Sequence, residues 1–105
     1  MSDLRIVLCT CPDLDVAEEI AKLLVEHQLA ACVNIINNVS SVYRWQNEVM
    51  SEQEAQLVIK TCEKQVTAIY NVIADKHPYD TPEWLVLDNV SASKDYLDWI
   101  KSSLK

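Results

Sequence analysis

Glycine does not occur anywhere in the 105 residues of the chain. Phosphate-binding loops, the dinucleotide-binding fingerprint and the nucleophile elbow of hydrolases all require glycine, because the backbone there approaches a ligand closely or adopts a positive φ angle. The sequence therefore excludes the common kinds of nucleotide-dependent enzyme, and we expect no organic cofactor.

Long apolar runs and basic residues are also scarce. No run approaches the ~20 apolar residues that cross a bilayer, and the first residues lack the basic stretch and cleavage site of a secretory signal. Nine basic residues stand against 16 acidic ones, giving a net charge of −7. Because such a field repels phosphates, the sequence predicts a protein that binds neither nucleic acid nor membrane. Without a membrane-spanning run or a secretory signal, the expected location is cytoplasmic.

The four cysteines do not have the spacing of a disulfide framework or of a zinc knuckle. Cys9 and Cys11 form a Cys-x-Cys pair, whereas Cys32 and Cys62 stand alone. A Cys-x-Cys pair by itself is a weak motif, although alternation along a strand would place both side chains on one face. Since cytosolic thiols stay reduced, we expect most of the four to be small buried hydrophobic residues.

Hydrophobic periodicity divides the chain into alternating strands and helices of one domain, residues 1–105. Predicted strands span residues 4–10, 31–45, 55–61 and 83–88, and predicted helices span residues 15–28, 66–76 and 93–104. Asp15 and Glu18 resemble a capping box at the first helix, and Ser93 is a candidate cap for the last. Residues 46–48 are the predicted tip of a long hairpin between the second and third strands.

This βαββαβ order with an added C-terminal helix predicts an α+β, ferredoxin-like sandwich. The expected sheet is antiparallel, with the first strand between the third and fourth and with both main helices on one face. The other face and the edges of the long hairpin would remain uncovered in a single chain. We therefore expect the protein to form oligomers.

Cys9, His77 and Glu83 are predicted to meet at one corner of that sheet. The end of the first strand, with Cys9, lies beside the start of the fourth, with Glu83, and the turn that holds His77 leads into the same corner. A thiolate, an imidazole and a carboxylate form a ligand set that suits copper or zinc. The structural alternative makes His77 a helix-terminal cation and Glu83 a partner of exposed amides in a rigid turn.

Other candidate residues have simpler interpretations. His27 is expected on the apolar side of the first helix, in a structural role. The large aromatic residues are expected to pack and to contact other subunits; these are Tyr43, Trp45, Trp84 and Trp99. Covalent catalysis by Cys9 would need an oriented base and an oxyanion site, and neither is evident. We therefore assign no catalytic residue.

Five segments occur in register with this plan, at residues 7–10, 29–35, 41–45, 54–61 and 77–83. The most specific are Leu-Ala-Ala-Cys-Val-Asn-Ile at 29–35, Ser-Val-Tyr-Arg-Trp at 41–45 and His-Pro-Tyr-Asp-Thr-Pro-Glu at 77–83. Together they resemble the CutA family of divalent-cation tolerance proteins over nearly the whole chain. The resemblance implies a ferredoxin-like fold in a tight homotrimer, with long strands pairing across subunits.

The resemblance also implies a link to copper or another divalent metal ion, with Cys9 and Glu83 as metal-associated positions. Some family members have a second histidine directly before the His-Pro-Tyr segment, where this chain has Lys76. Family members often carry glycine after the Tyr-x-Trp segment, where this chain has Gln46 and Asn47.

Two other functions share the predicted fold. A regulatory trimer resembling the PII signalling proteins would bind a small effector between subunits, beside the turn at residues 77–83. An enzyme resembling acylphosphatase would need a phosphate-cradling loop and a suitably placed arginine. The arginines present are Arg5 and Arg44, and both fall in predicted strands, so the enzyme ranks below the regulatory trimer.

Overall fold

The described part of the chain contains four β-strands and three α-helices, in the predicted order. The computed structural model describes residues 3–105. The strands are β1 (Leu4–Cys11), β2 (Cys32–Trp45), β3 (Glu48–Cys62) and β4 (Leu85–Leu87). The helices are α1 (Leu14–Glu26), α2 (Val66–Lys76) and α3 (Lys94–Ser102), and a short 3₁₀ turn at Glu63–Gln65 leads from β3 into α2.

The strands form one antiparallel sheet in the order β2-β3-β1-β4. β1 therefore lies between β3 and β4, which confirms the predicted α+β, ferredoxin-like sandwich with its added C-terminal helix. β1 pairs with β3 along its whole length, whereas β4 contributes only three residues. The prediction of a fourth strand over residues 83–88 is wrong in its extent, and Glu83 lies before the strand.

Alternation along β1 divides its side chains between two environments. Cys9 and Cys11 are fully buried in the larger core, which β1 and β3 form with α1 and α2. Leu4 has the opposite parity and packs in a second cluster with Cys62 and with Ile100 of α3. The helix α3 thus covers one end of the second sheet face, and the end near the hairpin lies open.

The hairpin between β2 and β3 turns through two residues, Gln46 and Asn47, at the predicted place. Their φ angles are 49° and 66°, which are the left-handed values that a two-residue hairpin turn of type I′ requires at both positions. A β-bulge interrupts the pairing between Ile36 and Val39, and Asn38 there has a φ of 57°. Asparagine tolerates this backbone better than other residues with a Cβ, so the turn and the bulge form without glycine.

Two details of α1 differ from the sequence prediction. The N-cap is Asp13, whose Oδ1 accepts a 2.9 Å hydrogen bond from the amide of Val16, so the predicted capping box of Asp15 and Glu18 is wrong. His27 is the C-cap of the helix and is exposed, so its predicted place on the apolar side is also wrong. Among residues 3–105, no helix is long and apolar enough to span a membrane.

Candidate metal site

Two cysteines and a histidine come together where β1 ends beside the C-terminus of α2. The Sγ atoms of Cys9 and Cys11 and a ring nitrogen of His77 all lie within 4.8 Å of one another. The two cysteines share the helix-covered face of β1 because they are two residues apart. His77 follows α2 directly, since Pro78 disfavours a helical backbone at the residue before it. All three side chains are buried.

Hydrogen bonds fix the protonation state of His77. The amide of Tyr79 donates to Nδ1 over 3.1 Å, so Nδ1 carries no proton. Nε2 therefore carries the proton and donates it to the carbonyl oxygen of Thr10 over 2.8 Å. A neutral imidazole in this arrangement does not act as the helix-terminal cation of the structural alternative. The lone pair of Nδ1 can bind a metal ion only if the hydrogen bond from the Tyr79 amide is broken.

The two thiols of the cluster interact with each other. A side-chain hydrogen bond between them raises the pKa of Cys9 and lowers the pKa of Cys11. Burial and the nearby carboxylates of Glu83 and Glu54 raise the pKa of Cys9 further. The directions of the two pKa shifts favour a thiolate at Cys11 over one at Cys9.

Glu83 does not join this cluster. It lines a groove of about 870 Å³ on the open face of the sheet, together with Thr10, Glu54 and Tyr79. Its Oε1 atom is buried and has no hydrogen-bond partner within the described part of the chain. A buried carboxylate oxygen without a partner is costly, so the groove suits a cation or a hydrogen-bond donor from outside the chain.

One hydrogen bond connects the His77–Glu83 turn to the sheet. The hydroxyl of Tyr79 donates to Oε2 of Glu54 over 2.9 Å, and Glu54 is only 8% exposed. Burial and this bond raise the pKa of Tyr79. The turn therefore contributes His77 to the cluster with Cys9 and Cys11, and it contributes Tyr79 and Glu83 to the groove.

Lys76 lies outside the cluster. It is the last residue of α2, and its Nζ atom lies 3.7 Å from the carboxylate of Asp75 on the surface. The position that carries a histidine in some CutA proteins thus carries an ion-paired cation here.

Large apolar side chains are exposed on the hairpin and on β4, which lies at the other edge of the sheet. They include Ile36, Val42, Tyr43, Trp45, Val49, Leu85 and Leu87. Val42, Tyr43 and Trp45 also line the groove. Exposed apolar side chains in this number are typical of a protein-protein contact.

Sequence reasoning missed Cys11 and Glu54 as residues of this region. The signal for Cys11 was its two-residue spacing from Cys9, which places both thiols on one strand face. Glu54 could have been found from the alternation of β3, because it has the parity opposite to that of the core residues Ala55 and Leu57.

Comparison with known proteins relates the whole chain to one group. The sequence profile of the family described as CutA1 divalent ion tolerance protein matches residues 5–103. The divalent-cation tolerance protein CutA of Thermus thermophilus is 42% identical over 99 residues, covering 94% of this chain and 96% of the relative.

Solved structures give the same relationship. The crystal structure of CutA from Xylella fastidiosa has a TM-score of 0.95 at 38% identity, covering 99% of this chain and 100% of that one. A protein of Archaeoglobus fulgidus described as a periplasmic divalent cation tolerance protein has a TM-score of 0.92 at 30% identity, with coverages of 97% and 99%.

Proposed function

The chain belongs to the CutA1 family of divalent ion tolerance proteins, and we propose that it is a metal-responsive binding protein without enzymatic activity. In this proposal, residues 1–105 form a single domain that assembles as a cytoplasmic homotrimer. Copper or another divalent ion binds through Cys9 and His77 at the end of β1, with Glu83 as the associated carboxylate in the adjoining groove. The observation that carries the proposal is the buried approach of the Cys9 thiol to the His77 imidazole, within 4.8 Å.

The donor atoms at this corner fit a thiophilic metal ion. A thiolate and an imidazole are the ligands that copper and zinc prefer. Cys9 would bind through sulfur and His77 through Nδ1, once the amide of Tyr79 is released. Glu83 would contribute negative charge from the groove, where its unpartnered Oε1 atom favours a cation nearby. A bound cation would supply positive charge to balance the Cys9 thiolate and the Glu83 carboxylate.

Metal binding is tested by equilibrium dialysis of the purified full chain against copper and zinc, with metal content measured by mass spectrometry. We expect one ion per chain in the wild type and a loss of at least about tenfold in affinity for Cys9→Ser. Cys32→Ser is the matched control, because Cys32 lies on the edge strand β2, which β3 separates from β1 and the cluster. Equal binding by Cys9→Ser and the wild type would reject this site.

The trimer is supported by the uncovered surfaces of the single chain. The hairpin exposes apolar residues on both of its strands, and β2 and β4 are edge strands with unpaired backbone groups. Light scattering should give about 36 kDa, three times the 12.0 kDa chain. A mass of one chain at micromolar concentration would contradict the assembly.

A cytoplasmic location is part of the proposal, although the Archaeoglobus relative is described as periplasmic. The cysteine spacing supports it, because the four cysteines do not form the pattern of a disulfide framework. Fractionation of the native host with an antibody against the chain would test it, and recovery in a periplasmic extract would contradict it.

A second candidate, the regulatory trimer that resembles PII proteins, is favoured by the groove. A volume of about 870 Å³ is within the range of small-molecule sites. Its carboxylates favour a cationic effector over a nucleotide. Thermal-shift screening should therefore show stabilisation by organic cations and none by phosphates, and stabilisation by neither class would remove this candidate.

A further inference from the structure

We propose that Cys11, and not Glu83, completes the metal site, and that the site is selective for a thiophilic cation of low coordination number, such as Cu(I). This inference rests on the proposed function, because it takes Cys9 as a metal ligand. It changes the ligand set from one sulfur, one nitrogen and one carboxylate to two sulfurs with an adjacent imidazole.

The separation of the two sulfur atoms carries the inference. They lie no more than 4.8 Å apart on the same face of β1. Metal–sulfur bonds are about 2.3 Å long for zinc, so two thiolates on opposite sides of one ion would be separated by roughly twice that length. The cysteines can therefore hold an ion between them with little change in the strand.

The surroundings of the sulfurs limit the number of ligands. Cys9 and Cys11 belong to an apolar core with residues such as Ala17, Ala55 and Leu57. Within residues 3–105, the donor group at this point contains one further member, His77. Zinc sites usually take four ligands, whereas thiolates select Cu(I), and Cu(I) is stable with as few as two or three.

His77 is the conditional ligand in this arrangement. Its Nδ1 lone pair accepts the amide of Tyr79 and its Nε2 proton is donated to Thr10. Ligation through Nδ1 replaces one hydrogen bond, and two-sulfur coordination leaves both bonds intact. Cu(I) is compatible with either state, but a four-coordinate ion requires the imidazole and one more donor from outside this group.

The inference is tested by anaerobic titration of the full chain with Cu(I) held by a competing chelator. Cys11→Ala should weaken Cu(I) binding by more than about 100-fold, since even residues outside the ligand set contribute 10–100-fold. Glu83→Gln should weaken binding by less than Cys11→Ala does, and Cys32→Ser should stay within about threefold of the wild type. Zn(II), titrated in the same way, should bind more weakly than Cu(I).

X-ray absorption of the Cu(I)-loaded wild type counts the sulfur ligands without any substitution, and it should give two. One sulfur would overturn the inference even if Cys11→Ala misfolds. A loss of Cu(I) affinity in Glu83→Gln, with none in Cys11→Ala, would also overturn the inference but would leave the proposed function in place. Metal binding that is unchanged in Cys9→Ser would reject both the proposed metal site and the inference about Cys11.

Discussion

At the scale of single residues, the hydrogen bonds of His77 and Tyr79 explain how one turn contacts two sites. The imidazole faces the buried thiols, and the phenol two residues later bonds to Glu54 in the groove. Release of the Tyr79 amide from Nδ1 would free the backbone next to that phenol. Metal ligation by His77 would therefore alter the wall of the groove, which would give the proposed metal response a physical route.

Replacing Tyr79 by phenylalanine tests the bond to Glu54. At pH 7, Tyr79→Phe should lower the free energy of unfolding by about 1–3 kcal/mol, because the buried Glu54 carboxylate loses a donor. The raised pKa of Tyr79 means that the folded state retains the phenol proton longer than the unfolded state does. The stabilisation is complete below the unfolded pKa of about 10 and decreases above it.

Urea unfolding between pH 7 and 11 checks this prediction. The wild type should lose stability above pH 10 more steeply than Tyr79→Phe. Tyr70→Phe is the control, because Tyr70 is exposed and its ring contact with Trp84 survives the change. Parallel pH profiles for the wild type and Tyr79→Phe would contradict the role given to this bond.

At the scale of elements, the long hairpin depends on a turn with positive φ angles, which its two turn residues can adopt but glycine adopts more readily. Gln46 and Asn47 both have positive φ angles, and glycine is the preferred residue at the second position of a type I′ turn. Asn47→Gly should therefore stabilise the hairpin by about 0.5–1 kcal/mol, measured as the free energy of urea unfolding.

Asn34→Gly is the matched control for that substitution. Asn34 is also an exposed asparagine of the hairpin, but it lies in paired extended backbone of β2. Glycine there should destabilise by about 1 kcal/mol, because it gains freedom in the unfolded chain and loses side-chain packing. Opposite signs for the two variants support the turn geometry, and equal destabilisation would count against it.

The sheet order could be predicted from the sequence because the order of elements leaves few arrangements for a split βαβ fold. Which face each site residue occupies could not be predicted from that order. Continuing the register of Leu8 with Leu85 places Glu83 opposite Thr10, whose parity differs from that of Cys9. Reasoning from strand ends brought Cys9 and Glu83 to one corner, but pleating separates them between the core and the groove.

At the scale of the whole molecule, the shape of the chain points to assembly. Its extents are 45 × 25 × 22 Å, since the hairpin projects beyond the part of the sheet that the helices cover. Exposed apolar residues at the projecting end line the same groove that holds the unpartnered Glu83 oxygen. A neighbouring chain that covers this face would bury both features, and the groove would then lie at a boundary between subunits.

Introducing a carboxylate into this surface should therefore oppose assembly. Val42 is 70% exposed on β2, so Val42→Asp should cost the single chain little while placing a charge in the apolar contact. We expect the molar mass at micromolar concentration to fall toward 12.0 kDa, with far-ultraviolet circular dichroism unchanged. Val25→Asp makes the same change at an exposed valine of α1, beside Val33 and Ile35 at the helix-covered base of the sheet and not at the projecting end of the hairpin, and should leave the mass unaltered. A trimer mass for Val42→Asp would place the subunit contact elsewhere on the chain.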